Sequence, residues 1–193
     1  MQILRKSSFR ATPWKNGGGI THEALRVPAS GEPFRWRLSV AQIDASGPFS
    51  DFAGYRRHMV LLRGAGVRLC FADGTQALLR EAGDSAEFDG ALATRCELLG
   101  GSCVDLNLMV SVAMPDVRAR VERLRAPLVL QTESGTQLVL FCVAGSALLG
   151  NEAGEHALLE TGDRALLAKA GEQVTCRGRN SSPLMFVARL TDG

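Results

Sequence analysis

The stretch LVLFCVAGSALLGNEAGEHALLETGD, residues 138–163, indicates the fold of this chain more directly than any other. It begins with an apolar run that ends at Gly145 and closes on the turn Gly162-Asp163. Glycine adopts the positive φ angles that a tight turn requires, and aspartate can hydrogen-bond its own backbone where the next strand begins. We therefore expect short β-strands on both sides of this turn.

The same order of features occurs earlier in the chain. An apolar run ends at Gly64, and Gly83-Asp84 follows it at a similar distance. A further glycine turn follows each copy, at Gly90 and at Gly171. This self-similarity predicts an internal repeat, and therefore two lobes of related structure.

Short runs rich in Val, Leu, Phe and Cys alternate with glycine turns along the chain, a pattern typical of a sandwich or barrel. The order of runs and turns resembles the cupin barrel, and residues 138–178 match it best. The resemblance implies an all-β protein with two cupin-type barrels, that is, double-stranded β-helices of the RmlC-like jelly-roll kind. We expect one barrel over residues 1–112, and a short connecting helix followed by a smaller barrel over residues 113–193.

The connecting helix is expected directly after Pro115, a residue that suits the first position of a helix. Val117, Val121 and Leu124 would then fall on one helix face. The arginines between residues 118 and 125 would lie on the solvent side.

The composition argues against several classes of partner. The 193 residues are 46% hydrophobic and carry a formal net charge of +2, without the basic excess of a nucleic-acid-binding protein. No run of 18 apolar residues is present, so we expect no membrane partner.

The N-terminus lacks the apolar core of a signal peptide, and most of the five cysteines lie in apolar runs, so we expect a cytoplasmic protein with reduced thiols. An oligomer remains compatible with these features.

The histidines do not form a metal-binding pattern. His22, His58 and His156 are far apart in the sequence, and Val174 stands where a metal-dependent cupin often carries a ligand histidine. Transition-metal sites of cupins need clustered imidazoles. We therefore expect no metal and no other cofactor.

Residues 12–23, TPWKNGGGITHE, form the most unusual segment of the chain. An aromatic ring, a cation, an amide, a hydroxyl and a carboxylate flank three consecutive glycines, whose backbone N–H groups can cradle an anion. An equally open alternative is a glycine turn between two edge strands, with the tryptophan buried in the core. The candidate ligand-binding residues of this segment are Trp14, Lys15, Asn16, Gly17, Thr21 and Glu23.

Polar residues also interrupt two apolar runs. With the period of two of a β-strand, Arg37 and Ser39 share one face of residues 36–41, and Asp105 and Asn107 share one face of residues 104–109. A buried carboxylate or amide needs a partner, so these residues either line a wet pocket or face solvent on an edge strand. Arg56, in an aromatic-rich loop, can provide a bidentate clamp for a carboxylate.

Taken together, these segments resemble the HutD/Ves family. The resemblance follows the chain in order over about the first 110 residues, through residues 14–23, 36–39, 47–56 and 105–109. It implies a two-cupin protein of a family associated, in its HutD branch, with bacterial histidine utilisation. Such proteins are thought to bind a small acid of the pathway and to moderate the pathway. The family's motif residues carry over to Trp14, Lys15, Asn16, Thr21, Glu23, Arg56, Asp105 and Asn107.

The chain departs from the family pattern at two places. Ala53 stands where the family commonly has proline, and Val110-Ser111 follows Met109 where the family often continues with a hydroxyl and an arginine. The second departure removes a possible cation from the rim of the pocket.

Our leading expectation is a metal-independent binding or regulatory protein for a small carboxylate-bearing metabolite, in preference to an enzyme. Lys15 and Arg56 would neutralise the ligand, Asn16 and Asn107 would hydrogen-bond to it, and Trp14 would provide an apolar wall.

Two alternatives remain open. The first is a metal-free cupin enzyme, an isomerase or a hydrolase of a small acid or amide, with Lys15, Glu23 and Asp105 as its acid/base set. The second is a protein-interaction module without a small ligand, which would bind through the aromatic loop of residues 49–55.

Overall fold

The computed structural model describes residues 1–14, 18–31, 33–179 and 182–191. These residues form β-strands and one short 3₁₀ helix, Lys6–Ser8, and none of them lies in an α-helix. The helical structure in these ranges lacks the length and apolar character that crossing a membrane would require. The strands up to Ser111 are β1 (Gln2–Leu4), β2 (Arg10–Pro13), β3 (Gly19–Val27), β4 (Trp36–Ile43), β5 (Gly47–Pro48), β6 (Tyr55–Arg63), β7 (Val67–Phe71), β8 (Gln76–Leu79), β9 (Ser85–Asp89), β10 (Thr94–Leu98) and β11 (Cys103–Ser111). Those after it are β12 (Asp116–Arg123), β13 (Leu128–Gln131), β14 (Thr136–Ala144), β15 (Ser146–Asn151), β16 (His156–Glu160), β17 (Arg164–Leu167), β18 (Gln173–Gly178) and β19 (Leu184–Thr191).

The chain divides into two compact units, which we call the N-terminal and the C-terminal barrel. The N-terminal barrel comprises Phe9–Ala113, and the C-terminal barrel comprises Met1–Ser8 together with Met114–Gly193. The all-β class predicted from the sequence is confirmed.

Two antiparallel sheets form the N-terminal barrel. One has six strands in the order β2-β3-β4-β11-β6-β9, and the other has four in the order β5-β10-β7-β8. Apolar side chains from both sheets pack into one cluster, which includes Ile43, Leu61, Leu69, Phe88 and Cys103. Successive residues of a strand point to opposite faces, so these residues identify which face of each sheet is turned inward.

The C-terminal barrel repeats this plan. Its larger sheet has the order β1-β17-β14-β19-β12, and its smaller sheet the order β13-β18-β15-β16. The series β17-β14-β19-β12 matches β9-β6-β11-β4 of the N-terminal barrel. Its interior is filled by aliphatic and thiol side chains such as Leu140, Leu149, Leu159, Cys176 and Val187.

The repeated Gly-Asp turns make equivalent backbone hydrogen bonds. In the N-terminal barrel, Leu61 N donates to Asp84 O at 2.9 Å and Gly83 N donates to Leu61 O at 2.8 Å. In the C-terminal barrel, Cys142 N donates to Asp163 O at 2.9 Å and Gly162 N donates to Cys142 O at 2.8 Å. Both glycines have positive φ, 99° and 93°, as the turn requires.

The expected connecting helix is wrong. The segment after Pro115 is strand β12, which pairs with β19 along its whole length, from Asp116 with Thr191 to Arg123 with Leu184. Val117, Ala119 and Val121 alternate with polar residues, so they also satisfy the period of a strand. Pairing with β19 decides between the two patterns, since tertiary context overrides a weak local preference.

The first eight residues do not belong to the first barrel as expected. Strand β1 pairs with β17 of the C-terminal barrel, through Gln2 with Leu166 and Leu4 with Arg164. The amino group of Met1 forms an ion pair with Glu172. These non-local partners could not be read from the local sequence.

Candidate functional site

A row of arginines crosses the larger sheet of the N-terminal barrel. In the strand register, Arg26 of β3 lies opposite Arg37 of β4, Arg37 lies opposite Met109 of β11, and Met109 lies opposite Arg57 of β6. These residues share a face with Ile43 of β4 and Leu61 of β6, which belong to the interior cluster. We call this side of β3, β4, β11 and β6 the interior face.

Arg57 is the most buried of these arginines, with 4% of its surface exposed. Its guanidinium carbon lies 4.9, 5.0 and 5.7 Å from the ring centroids of Phe88, Phe49 and Phe52. Its Nε has no hydrogen-bond partner among the residues that the structure describes. Burial lowers the pKa of Arg57 to about 10, so the side chain remains a cation at neutral pH.

Aromatic and sulfur groups hold the other two arginines. Arg37 lies over the rings of Phe34 and Phe52, at 5.0 and 5.4 Å, and its Nη2 donates to the sulfur of Met109 at 3.2 Å. Arg26 lies 5.2 Å from the ring of Phe34. Cation–π contacts of this kind compensate part of the lost hydration of each cation.

A polar row lies next to the arginine row on the interior face. Glu23 of β3 is opposite Ser39 of β4, and Ser39 is opposite Asn107 of β11. Asn107 is 6% exposed, and within the described ranges its Oδ1 has no hydrogen-bond partner. Glu23 also approaches Arg26 at 3.8 Å.

Asp105 lies one further row along β11, opposite Ala41 of β4 and Leu61 of β6. Only 2% of its surface is exposed, and burial raises its pKa to about 7, although the charge of Arg57 acts in the opposite direction. The carboxyl group therefore titrates near neutral pH, as the acids and bases of functional sites often do.

Trp14 packs against the apolar cluster of the barrel interior. Its Nε1 donates to Thr21 Oγ1 at 2.7 Å, and its ring meets Phe49 edge-on with centroids 6.2 Å apart. Gly19 is required beside this ring, because a Cβ there would lie 2.1 Å from the carbonyl oxygen of Gln42 and 3.2 Å from Trp14. This close approach gives one physical reason for the run of glycines.

The structure brings five of the expected site residues to the interior of the N-terminal barrel: Trp14, Thr21, Glu23, Asp105 and Asn107. Lys15, Asn16 and Gly17 lie outside the described residues.

The structure does not bring Arg56 together with the other expected site residues on the interior face. Arg56 is opposite Val110, on the other face of β6, and it is Arg57 that shares the interior face with Met59 and Leu61. Two consecutive residues of a strand cannot face the same side.

Arg26 and Arg57 were not among the candidate site residues expected from the sequence. A register shift between Glu23 and Leu25 inserts one residue into β3, and this shift brings Arg26 to the same face as Glu23. Strict alternation along the sequence would have separated the two residues. Arg37 and Ser39, by contrast, were correctly placed on a common face by their alternation.

A surface groove with a cavity volume of about 450 Å³ lies at one end of the smaller sheet. Its lining includes Phe49, Cys70, Phe71 and Thr94. Phe49 therefore lines this groove and also contacts Trp14 and Arg57.

The described residues contain no group of three or more His, Cys, Asp and Glu side chains that could hold a metal ion. His58 Nδ1 is 3.5 Å from Glu87 Oε2, and alternation along β6 puts His58 on the face opposite to Arg57. His22 contacts the ring of Phe9. The donor set around the arginine row consists of cations, an amide and carboxyls, which suits an anion better than a metal.

The fold resembles that of proteins with very different sequences. An oxalate decarboxylase of Bacillus subtilis, studied as a mutant, aligns with a TM-score of 0.65 at 9% identity, over 100% of this chain and 77% of that chain. At this level of identity the likeness shows the fold alone, and it confirms the cupin barrel predicted from the sequence.

Closer relatives come from bacteria. An uncharacterized 21.2 kDa protein from the region 3′ of hutC in Pseudomonas putida is 42% identical over 123 residues, which span 63% of either chain. Protein Ves of Citrobacter koseri is 33% identical over 145 residues, which span 72% of this chain and 71% of that protein. A solved structure of HutD from Pseudomonas fluorescens SBW25 aligns with a TM-score of 0.83 at 29% identity, over 100% of this chain and 99% of that one.

The HutD family model matches residues 6–186, which include the N-terminal barrel with its interior face and most of the C-terminal barrel. The chain therefore belongs to the HutD family, whose members are associated with histidine utilisation.

Proposed function

We propose that the N-terminal barrel binds a small carboxylate-bearing metabolite of histidine breakdown, and that the protein moderates this pathway instead of catalysing one of its steps. The observation that carries the proposal is Arg57, a buried cation on the interior face without a carboxylate within 4 Å among the described residues. Burying an uncompensated charge is strongly unfavourable, so such a cation is the natural partner of an anionic ligand.

The charge of the interior face supports an anion. Arg26, Arg37 and Arg57 face the carboxyl groups of Glu23 and Asp105, and burial keeps Asp105 largely protonated below pH 7. Among the described residues, no carboxylate lies within 4 Å of the Arg57 guanidinium, so a ligand carboxylate would give this cation a partner. An arginine fork can bind a carboxylate through two parallel hydrogen bonds, each worth about 1.5–3 kcal/mol.

The residues around the arginine row would position the rest of the ligand. Trp14 and Phe49 provide an apolar wall, while Thr21 and Asn107 provide polar groups. We include Lys15, Asn16 and Gly17 in the proposed site because they directly follow Trp14 in the chain. The proposal requires no metal and no other cofactor.

A cytoplasmic location is part of the proposal. All five cysteines are free thiols, and Cys96, Cys103, Cys142 and Cys176 are buried. Free thiols persist in the reducing cytoplasm.

A metal-free enzyme is the second candidate function, because Asp105 has a property that catalysis uses. A carboxyl group with a pKa near 7 can act as a general base or acid at neutral pH. Glu23, on the same interior face, would be its partner in such a mechanism.

The test compares two variants at adjacent positions. Histidine, urocanate, formiminoglutamate, formylglutamate and glutamate are each titrated into the protein, and the melting temperature and the composition of the mixture are recorded. A ligand at 100 times its Kd adds about 2.7 kcal/mol, or roughly 5–10 °C for a chain of this length. We expect this shift with one compound for the wild type and for Arg56→Gln, and its loss in Arg57→Gln.

The outcomes separate the candidate functions. An intact compound at the end of the assay identifies a binding protein, and a consumed compound identifies the enzyme. The proposal fails if none of the compounds shifts the melting temperature, or if Arg57→Gln, folded by circular dichroism, binds as tightly as Arg56→Gln.

A further inference from the structure

We propose that the ligand of the N-terminal barrel carries an N–H group close to its carboxylate, and that Asn107 is the residue that selects for this group. The inference rests on the proposed function and specifies the chemistry of the ligand. It concerns the part of the site that does not bind the carboxylate itself.

Asn107 presents a buried acceptor that the described part of the chain does not satisfy. The residue is 6% exposed, and its Oδ1 has no hydrogen-bond partner there. The large majority of buried side-chain polar atoms in proteins are hydrogen-bonded, and leaving one unsatisfied is unfavourable. An acceptor of this kind on the interior face is therefore poised for a donor that arrives with the ligand.

The register places Asn107 between the two arginines of the neighbouring strands. Asn107 is directly opposite Ser39 of β4 and Met59 of β6, and Arg37 and Arg57 are each two residues further along those strands. Diagonal neighbours of this type have Cα atoms about 7–8 Å apart, within reach of long side chains. If either guanidinium holds the carboxylate of a ligand, the ligand group that contacts Asn107 must be only a few covalent bonds away from that carboxylate.

The residues directly opposite Asn107 do not donate a hydrogen bond to its Oδ1, so the donor would come from the ligand. Met59 is apolar, and no hydrogen bond joins the Ser39 hydroxyl to Asn107 among the described residues. Oδ1 can only accept, so its partner must donate. An amide or imidazole N–H near a carboxylate has this chemistry, whereas the corresponding ester or oxazole does not.

The pocket would then bind a ligand with the N–H group more tightly than an analogue without it, because the analogue leaves Asn107 Oδ1 without a hydrogen bond. A site that hydrogen-bonds an N–H group rejects an analogue without it, because its own polar group is left unpaired. We expect the N–H compound to bind roughly 10- to 100-fold more tightly than its oxygen analogue. Charge and shape are matched within each pair, so the difference reports the donor.

The experiment uses two matched pairs in calorimetric titrations. One pair is N-formylglutamate and 2-formyloxyglutarate, and the other is urocanate and 3-(1,3-oxazol-4-yl)acrylate. We expect the preference for the N–H compound in the wild type and its disappearance in Asn107→Leu, a variant of similar volume that lacks the acceptor. Arg57→Gln should weaken both members of a pair by the same factor.

Equal affinity within each pair, together with a loss of binding in Arg57→Gln, would overturn the inference and leave the carboxylate site standing. A preference that persists in Asn107→Leu, with the variant folded by circular dichroism, would also overturn it, because another residue would then recognise the donor. Failure of all four compounds to bind the wild type would overturn the proposed function and this inference together.

Discussion

Arg57 and Asp105 influence each other's charge inside the N-terminal barrel although no ion pair within 4 Å joins their side chains in the described structure. Burial lowers the pKa of Arg57 and raises that of Asp105, and the attraction between the two groups opposes both changes. Burial prevails at Asp105, where the pKa rises to about 7. The interior therefore gains or loses a proton near neutral pH.

The stability of the protein should fall as the pH rises from 4 to 7, relative to Asp105→Asn. The pKa of Asp105 is above its ordinary value of 3.8, so over this interval the folded state retains a proton that the unfolded state releases. Raising the pH then favours unfolding, by up to roughly 1.4 kcal/mol per pH unit. Urea denaturation of both proteins at pH 5, 6, 7 and 8 measures the effect. Parallel stability curves would show that Asp105 is ionised throughout.

The affinity for a carboxylate ligand should also fall as the pH rises. At pH 8 Asp105 is mostly ionised and repels an anion bound to Arg57, whereas at pH 6 it is mostly protonated. We expect Kd to increase roughly 10-fold over this range, and to remain constant in Asp105→Asn. Calorimetric titrations at the two pH values provide the measurement. A pH dependence that survives in Asp105→Asn would assign the titration to another group.

The sequence was sufficient to predict the fold class and the repeat because both depend on local signals. Gly83-Asp84 and Gly162-Asp163 predicted two equivalent turns, and their hydrogen bonds are equivalent. The segment after Pro115 was assigned incorrectly because Val117 and Val121 satisfy the spacing of a helix and of a strand. Only the partner strand β19, nearly 70 residues away, distinguishes between them.

The interior face was partly predictable because alternation along a strand is also a local signal. Asp105 and Asn107 follow strict alternation along β11, so their common face could be inferred from the sequence. Arg57 was missed because Arg56 and Arg57 are adjacent, and the sequence does not indicate which of them lies in phase with Leu61. Arg26 was missed because the extra residue in β3 changes the phase after Glu23.

Gly19→Ala should disturb the tryptophan at the end of the barrel. A methyl group at this position would lie 2.1 Å from Gln42 O and 3.2 Å from the Trp14 ring, so the backbone must shift. We expect a loss of about 1–3 kcal/mol in stability and an altered tryptophan emission spectrum. Gly47→Ala is the matched control, because a Cβ there meets no atom within 4 Å. Its stability should stay within about 0.5 kcal/mol of the wild type. Equal effects of the two substitutions would contradict the steric explanation.

Asp163→Asn should weaken the attachment of the N-terminal segment to the C-terminal barrel. Asp163 Oδ2 accepts a hydrogen bond from Arg5 Nη1 at 2.7 Å, and its Oδ1 accepts one from Lys6 N at 3.1 Å. Burial alone would raise the pKa of Asp163, but hydrogen bonds from Arg5, Lys6 and Glu160 bring it below the ordinary value. The contribution of Asp163 is therefore complete at neutral pH and is lost as the pH falls below about 4.

Asp84→Asn is the matched control, because Asp84 occupies the equivalent turn of the N-terminal barrel. Its carboxylate accepts hydrogen bonds from Arg80 N and Glu81 N and forms no ion pair among the described residues. At pH 7 we expect Asp163→Asn to lose about 1–3 kcal/mol and Asp84→Asn clearly less, since only Asp163 holds a charged partner. The difference should shrink as the pH falls below about 4, because Asp163 then begins to take up a proton in the wild type and its ion pair with Arg5 weakens. Denaturant titrations at pH 7 and pH 3 test this, and an equal loss at pH 7 would mean that Arg5 adds nothing to the turn.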